Sequence, residues 1–595
     1  MPTYPSIDQD GVLRITVASN GKPLPNLALM AVSVRRAFNR IPWAELVIRD
    51  GDMPTGDFEY SDADMFAPGA TVTINAGYGD DETQIFSGVV IRHGIKIDGD
   101  NDSRLVVECR DLAVKMTIGR RNANYVDQTD SDVLTGLIGA HGLTANVTST
   151  TGSFGELVQF YSSDWDYLIA RAEFNGMLVD VENGTVNVLA PDASVKPVFG
   201  LTWGTDLYEF DAEMDARLQY ESVRATAWDP AQQAIVQGEA AKPSPLNAQG
   251  DIDGSTLAKV IGLQTWQLQT ATTQEQTTLT GWAKAVQTRA ALGRLRGHLR
   301  CTGTALAKPG VQVQVSGVGK RFSGAVYVTA VEHALVGGSW FTDVEFGFAQ
   351  DWKAPHQDVE GPAAAGLMPA VSGLQIGVVQ KLDSDPAGAQ RIQISLPVMQ
   401  AETEGVWARL LQGYASNGFG MFFLPEPGDE VIVGYLNDDP SHPVVLGSVY
   451  SGKHVPPYTL EAPNNTKAIV TRAKHVVSFD EENKIITVTT PGKNKIVFDD
   501  TDQSILIQDQ HNNSIKMSQS GIACESPYDI TLDAKGNIKM TASMAIEMTA
   551  QADFKASGLN VQCEAQVGFT GKGAATAELS ASGQTTVKGA LVMIN

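Results

Sequence analysis

The chain has 595 residues and a formal net charge of −24. So acidic a protein repels phosphate backbones and anionic lipid headgroups over about 8 Å at physiological salt, which argues against nucleic acid as its main partner. Hydrophobic residues make up 43% and charged residues 19%, ordinary globular usage that excludes wholesale disorder and, at this length, predicts several domains rather than one core.

The opening MPTYPSIDQDGVLRITV has no basic segment leading into an apolar run, and no apolar stretch reaches the roughly 18 residues of a membrane span. Synthesis in the cytoplasm without a signal peptide is the expectation. Cys109, Cys301, Cys524 and Cys563 lie far apart and form no C-x-x-C pair, so buried thiols are expected rather than a disulfide framework or a zinc ribbon.

Residues 1–352 read as strand-rich with a few helices. Runs such as TVTINAGYG and RLVVECR alternate apolar and polar residues as half-buried antiparallel strands do, which predicts a β-barrel or sandwich. One pattern occurs twice: PGATVTINAGYGDDETQIFSGVV from Pro68 and PGVQVQVSGVGKRFSGAV from Pro309. Two hairpins with shared turn chemistry would explain it, and so would a duplicated barrel. Between the copies, SDWDYLIARAEFNG predicts a helix with Ser163 as N-cap, Trp165, Leu168, Ile169 and Ala172 on one face, and Gly176 as the left-handed C-terminal residue. A hairpin should turn at Asn183 and Gly184. A longer helix is expected near TLTGWAKAVQTRAALGRLRGHLR, where Arg289, Arg294, Arg296 and Arg300 cluster. These arginines could hold phosphate, but in so acidic a chain a solvated face or acidic neighbours are the expected environment.

Residues 353–373, rich in Pro, Ala and Gly and without a period, predict a linker. Residues 374–455 hold five short strand patterns, QIGVVQKL, RIQISLP, VWARLLQ, GDEVIVGYL and PVVLGSVY, the number and length of a small OB-type barrel.

In residues 456–595, Ile522, Ile530, Ile538, Ile546 and Phe554 recur every eight residues, with Cys524, Leu532, Met540, Met548 and Ala556 two positions after each. Each unit is a short strand with two inward side chains and a polar turn. The pairs Ile496 and Phe498, Ile505 and Ile507, and Ile515 and Met517 fit the same unit at looser spacing. One strand every eight residues buries only a thin face, so the repeat needs company: either a single-chain solenoid or three chains wound together. The intertwined form is preferred, because VKGALVMIN does not resemble a capping element.

The collar segment carries Trp407 and Arg409, Gly418 and Gly420, Pro425, Glu426, Gly428, Asp429 and Glu430, Asp439 and Pro440, and Gly447 in the run GSVY. These motifs, with the order of barrel domain, OB barrel and octad repeat, resemble the VgrG spike proteins of contractile injection systems. The segment VQFYSSDWDYLIARAEFNGM is similar to that family's hub domain. The resemblance implies a mainly β homotrimer, with a duplicated barrel hub, an OB collar and an intertwined triple-stranded β-helix whose core includes Ile522, Ile530, Leu532, Ile538, Met540, Ile546, Met548 and Phe554. It implies a structural spike that matches a six-fold inner tube to a three-fold needle and pierces an envelope on sheath contraction. It also implies inner-tube and baseplate partners at the hub, effector cargo, and a PAAR-type tip protein docked on Val587, Leu591, Met593 and Ile594.

No GxxxxGK[ST] loop, HExxH helix or GxSxG elbow is present, and no catalytic, cofactor-binding or metal site is expected. His442 and His511 read as surface or turn residues. Only Ser451 to about Pro463 separates collar from repeat, too short for the muramidase that phage spikes of this kind insert there. Two rival readings are a glycan-active enzyme on a monomeric β-helix, which needs clustered carboxylates on one strand face, and an OB-type nucleic-acid binder, which needs basic residues among aromatics. The repeats offer no such carboxylates, and the collar is acidic.

Overall fold

The computed structural model describes residues 11–99, 102–192, 194–240, 249–349, 351–356, 359–400 and 404–594. The first ten residues, on which the expectation about a leader rests, lie outside them. The chain divides into two compact units, Met1–Val449 and Tyr450–Asn595.

The first unit begins with β1 (Leu13–Ser19), the two-residue β2 (Lys22–Pro23), β3 (Leu29–Ala37), β4 (Trp43–Arg49), β5 (Thr71–Tyr78), β6 (Asp81–Asp98) and β7 (Asp102–Arg110). Alternation places Leu46, Ile48, Ile74, Leu105 and Val107 on one face, where they are fully buried around Phe66. Each such side chain contributes roughly 1.5–3 kcal/mol of hydrophobic stabilisation.

A helical insertion follows: β8 (Arg121–Thr129), α1 (Asp130–Ala140), β9 (Thr144–Val147), β10 (Ser153–Ser162), α2 (Asp164–Phe174), β11 (Leu178–Glu182) and β12 (Thr185–Leu189). In α2 the Ser163 side chain accepts the Asp166 N–H, and Trp165, Leu168, Ile169 and Ala172 are buried, as expected. Gly176 has φ +68°, and the β11–β12 hairpin turns through positive φ at Asn183 and Gly184.

The second half of the hub comprises β13 (Pro197–Thr202), β14 (Leu207–Met214), a second insertion, then β18 (Leu295–Thr302), β19 (Gln312–Ser316), β20 (Gly324–Val336) and β21 (Ser339–Phe346). The insertion holds β15 (Ser222–Asp229), β16 (Ala234–Ala240), α3 (Gly254–Ile261), β17 (Thr265–Thr270) and α4 (Gln276–Leu292). The long helix expected through Arg300 therefore stops at Leu292. Gly293 ends it, and the following LRGHLRCT alternates with period two and enters β18.

The duplication is structural as well as sequential. Strands β3, β4, β5, β6 and β7 correspond in chain order and pairing to β14, β18, β19, β20 and β21. The irregularities correspond too. The register shift between Leu29 and Ala31 in β3 recurs between Leu207 and Glu209 in β14, and the shift between Val90 and Arg92 in β6 recurs between Val328 and Ala330 in β20. Shared turn chemistry between two hairpins would not reproduce a bulge on a strand outside them, β3 and β14, together with a second one beyond the shared Phe-Ser-Gly run in β6 and β20. The halves are joined by β20 pairing with β3, so both belong to one thirteen-stranded sheet over two cores.

The collar is a closed barrel of β22 (Gln375–Lys381), β23 (Ile392–Ser395), β24 (Val406–Leu410), β27 (Glu430–Tyr435) and β28 (Pro443–Ser448), interrupted by a small hairpin of β25 (Ala415–Ser416) and β26 (Phe419–Gly420). Val379, Ile392, Ile394, Ala408, Val431, Val433 and Val445 fill it.

The second compact unit opens as an antiparallel meander, β29 (Thr466–Val470), β30 (Val476–Asp480), β31 (Ile485–Thr489), β32 (Lys495–Asp499), β33 (Ser504–Gln508), β34 (Ser514–Ser518) and β35 (Gly521–Glu525). Ile496 pairs with Ile507, Phe498 with Ile505, and Ile515 with Cys524. The looser upstream pairs thus belong to hairpins within one chain, and so does Ile522, which pairs with Met517.

His333 is buried in the hub sheet, 6% exposed, where the Trp340 indole N–H donates to its Nδ1 and the Thr342 hydroxyl lies 3.1 Å away. Burial lowers its pKa from the ordinary 6.5 to about 4. As pH falls from 6.5 the unfolded chain takes up this proton first, so stability present above pH 6.5 is lost progressively toward pH 4, about 3 kcal/mol in all. Denaturant titrations of the hub at pH 7 and pH 4.5 should show this loss, and His333→Gln should flatten the dependence.

Candidate assembly surfaces

The collar motif builds turns. The Asp429 carboxylate accepts the Glu426 N–H at 2.9 Å, the Asp429 N–H donates to the Glu426 carbonyl at 3.0 Å, and the Gly428 N–H donates to the Val379 carbonyl at 2.8 Å. The loop after buried Pro425 is thereby fastened to β22, and the Glu430 carbonyl accepts the Val449 N–H. Asp439 accepts the Ser441 N–H at 2.8 Å and lies 3.1 Å from His442 Nδ1. The Ser441 amide, and then the imidazole, hold its carboxyl below the usual range. Pro440 is half-buried beside it. Trp407 is half-buried opposite Gln393, exposed Arg409 sits opposite Val444, and Gly447 follows the register shift on β28.

Gly418 turns the small hairpin, and a Cβ on Gly420 would lie 2.5 Å from the Tyr414 carbonyl oxygen, so only glycine fits there. Around this hairpin Tyr414, Phe419, Met421, Phe422 and Phe423 are exposed, a patch that a reading of the motif as shape alone passes over. Its signal in the sequence was the run FGMFF.

Beyond Glu525 the chain changes character. Among the described residues, 526–594 contain no strand and no backbone-to-backbone hydrogen bond, yet bends recur at 527–528, 535–536, 543–544 and 551–552. Between them Ile530, Leu532, Ile538, Met540, Ile546, Met548 and Phe554 are exposed by half or more of their surface, and Ile522 is exposed at the end of the meander. Val587, Leu591, Met593 and Ile594 are exposed as well. Cys524 and Cys563 share this exposure, which corrects the expectation of four buried thiols; Cys109 and Cys301 are buried, and burial pushes both thiols up to about 12.

The four arginines do not converge on an anion site. Arg296 pairs with Glu213 and Arg300 with Asp343 and Glu209, while buried Arg294 donates to the Ile252 and Gln249 carbonyls. Arg289 holds the exit from the hub. Its guanidinium lies 2.8 Å from the nearly buried Glu173 carboxylate and about 5 Å from the Phe348 and Trp352 ring centroids, and it donates to the Asp351 carbonyl. Glu173 also accepts the Lys353 N–H, Lys353 Nζ lies 3.5 Å from Asp166, and Arg120 donates to the Val359 and Glu360 carbonyls. The Val371 N–H donates to the Asp438 carbonyl in the collar. The Pro/Ala/Gly-rich segment is thus pinned near both ends; residues 357 and 358 lie outside the described set.

Among the described residues no group of three or more His, Cys, Asp or Glu side chains is placed to hold a metal ion, and no helix is long and apolar enough to cross a membrane. His442 and His511 are exposed, in turns.

Comparison with known proteins bears on these surfaces. The family model described as the Alg8 N-terminal domain matches residues 9–336, more than half of the chain, and the model described as the type VI secretion system/phage-baseplate injector OB domain matches residues 375–450. The chain belongs to the family of the Alg8 N-terminal domain, and part of it is similar to VgrG-type spike proteins. It is 35% identical over 111 residues to the type VI secretion system spike protein VgrG4b of Pseudomonas aeruginosa, covering 17% of this chain and 13% of the relative. It is 38% identical over 74 residues to the actin cross-linking toxin VgrG1 of Vibrio cholerae, covering 12% and 7%. The chain spans between 7 and 18% of the length of the first curated relatives it matches. Among solved structures, a tail protein from Neisseria meningitidis aligns with TM-score 0.43 at 15% identity over 58% of this chain and 99% of its own.

Removing Glu173 leaves the Arg289 guanidinium buried without its carboxylate, a loss of about 3–5 kcal/mol. In Glu173→Ala, limited trypsin digestion should cut after Lys353 several-fold faster than in the unaltered chain, because the backbone there loses its anchor.

Proposed function

We propose that three copies of this VgrG-type spike protein wind residues 526–594 into one shaft and act as the hub and spike of a contractile injection machine, mechanically and without catalytic turnover. The supporting observation is the regularity of a segment that no strand among the described residues of its own chain pairs with. An isolated extended chain has no reason to bend every eight residues or to present an apolar residue on each rung. Backbone hydrogen bonds and a buried face supplied by neighbouring chains account for both.

In this reading residues 1–352 form the hub, 353–373 the strap to the collar, 374–455 the collar and 456–595 the shaft. The meander from β29 to β35 forms one wall per chain, and the octad segment beyond it shares strands among chains. The rungs from Ile530 to Phe554 become the core. The duplicated hub gives three chains six similar units, which suits a junction between a six-fold inner tube and a three-fold needle. Val587, Leu591, Met593 and Ile594 present an apolar surface for a PAAR-type tip protein, and effector cargo travels with the spike. The protein is made in the bacterial cytoplasm and leaves it as part of the ejected needle.

Light scattering should give the full chain three times its 63.5 kDa, about 190 kDa. Ile538→Asp combined with Ile546→Asp, which place two charges in the shared core, should shift the mass toward one chain at concentrations where the unaltered protein stays assembled. A stable species of single-chain mass in which protease cannot cut residues 526–594 would point to a monomeric solenoid.

A further inference from the structure

The meander from β29 to β35 has two rows of turns, one along each edge, and they carry opposite charge. On one edge, the turns around residues 480–484 and 499–503 hold Asp480, Glu481, Glu482, Asp499, Asp500 and Asp502 against a single cation, Lys484. On the other edge, the turns 471–475 and 490–494 hold Arg472, Lys474 and Lys493, with Lys495 beside them at the start of β32, and contain no carboxylate. Farther along this second edge stand Asp509 and Glu525, but the Asp509 carboxylate is taken up within its own turn by the His511 and Asn513 N–H groups. Glu481, Glu482, Asp500, Asp502, Lys474 and Lys493 are all exposed.

The two edges cannot neutralise each other within one sheet. Each strand between them has five residues, about 17 Å of extended chain, twice the distance over which charges are felt at physiological salt. The sheet is also open on one face. Val477, Val488, Ile496 and Ile507 pair in one row, and Phe479, Ile486, Phe498 and Ile505 in the row beside it. Of these, Phe479, Ile486, Ile496, Phe498 and Ile507 are 37–43% exposed, an apolar strip that something must cover.

Symmetry decides which edges can meet when copies of this sheet turn their apolar strips toward a common axis. Copies related by rotation about that axis bring the acidic edge of each against the basic edge of the next, a head-to-tail contact. An inverted copy would instead set acid against acid and base against base. Rotation moves nothing along the axis, so heights are kept. Basic and acidic turns alternate down the meander, 471–475, 480–484, 490–494 and 499–503, each about 4.8 Å below the last. The acidic turn at 480–484 of one copy then stands one strand spacing from each of the basic turns 471–475 and 490–494 of its neighbour, within reach of Lys474 and Lys493.

We propose that the acidic turn edge of each copy's meander seats against the basic turn edge of the next copy, in a seam of ion pairs that makes the chains of the shaft point the same way. The occupant of each edge is a second copy of this chain, and the argument for it is the charge complementarity of the two edges. Exposed ion pairs add little strength one by one, but a row of them discriminates between right and wrong neighbours, because like charges brought together repel. The number of copies, three, rests on the proposed function above.

The test follows, in the full chain, the urea concentration at which light scattering sees the three-chain mass fall to one chain. Glu481→Lys, Glu482→Lys, Asp500→Lys and Asp502→Lys together turn the acidic edge basic. Lys474→Asp, Lys493→Asp and Lys495→Glu together turn the basic edge acidic; aspartate suits the left-handed backbone at 474 and 493, where φ is 67° and 69°. Each set alone should lower the midpoint at low salt, and the deficit should shrink at high salt, where charges are screened within about 3 Å. Both sets in one chain exchange the edges and should return the midpoint close to that of the unaltered chain, which damage to the fold could not do. A midpoint that neither set moves, or that falls further when the sets are combined, would overturn the seam and leave the three-chain reading standing. A single-chain mass for the unaltered protein would overturn both.

Discussion

A peptide backbone in extended conformation needs a neighbour on each side, and a strip of apolar side chains needs something to cover it. Among the described residues of its own chain the octad segment has neither. Seven strands upstream solve the problem by folding back and forth, so that Ile496 meets Ile507 and Ile515 meets Cys524. After Glu525 the meander stops and bends recur at eight-residue steps, with no partner strand among the described residues of the same chain. In the proposed assembly that change marks where each chain stops being its own neighbour. Stiffness then follows from the same constraint, since bending such a shaft would break hydrogen bonds and uncover side chains on several chains at once.

The hub poses a related problem with a different solution. A duplicated sheet unit has two open edges, and joining β20 to β3 satisfies only half of them. The matching bulges show that the two halves bend their strands at corresponding points. Between hub and collar, Arg289, Glu173 and the Phe348 and Trp352 rings fix the direction in which the chain leaves the hub. In the proposed assembly, which transmits thrust, a strap held at several points serves better than a free tether.

Much of this was legible in the sequence, and for identifiable reasons. Period-two alternation gave the strands, the Ser163 cap and Gly176 bounded α2, and the repeated Phe-Ser-Gly hairpins revealed the duplication. The end of α4 was misplaced because the arginines from 294 to 300 suit a helix by propensity, while their alternation with Leu295, Leu299 and Cys301 suits the strand they form. Ile522 was counted with the shaft because spacing alone cannot tell a chain that pairs with itself from one that pairs with others. The Arg289 clamp could not be read at all: its partners lie 116 positions upstream and about 60 downstream, and nothing local marks them. The exposed aromatic hairpin was visible as FGMFF, but its exposure is a property of the folded collar.

The central claim is that residues 526–594 become strands only in company. Amide hydrogen exchange of that segment in the purified full-length protein, measured beside the mass of the same sample, tests it most directly. The account predicts protection lasting hours across the octad rungs in a species of about 190 kDa, lost together with that mass when the chains are separated. Exchange within seconds in an intact three-chain particle, or lasting protection in a species of single-chain mass, would contradict it.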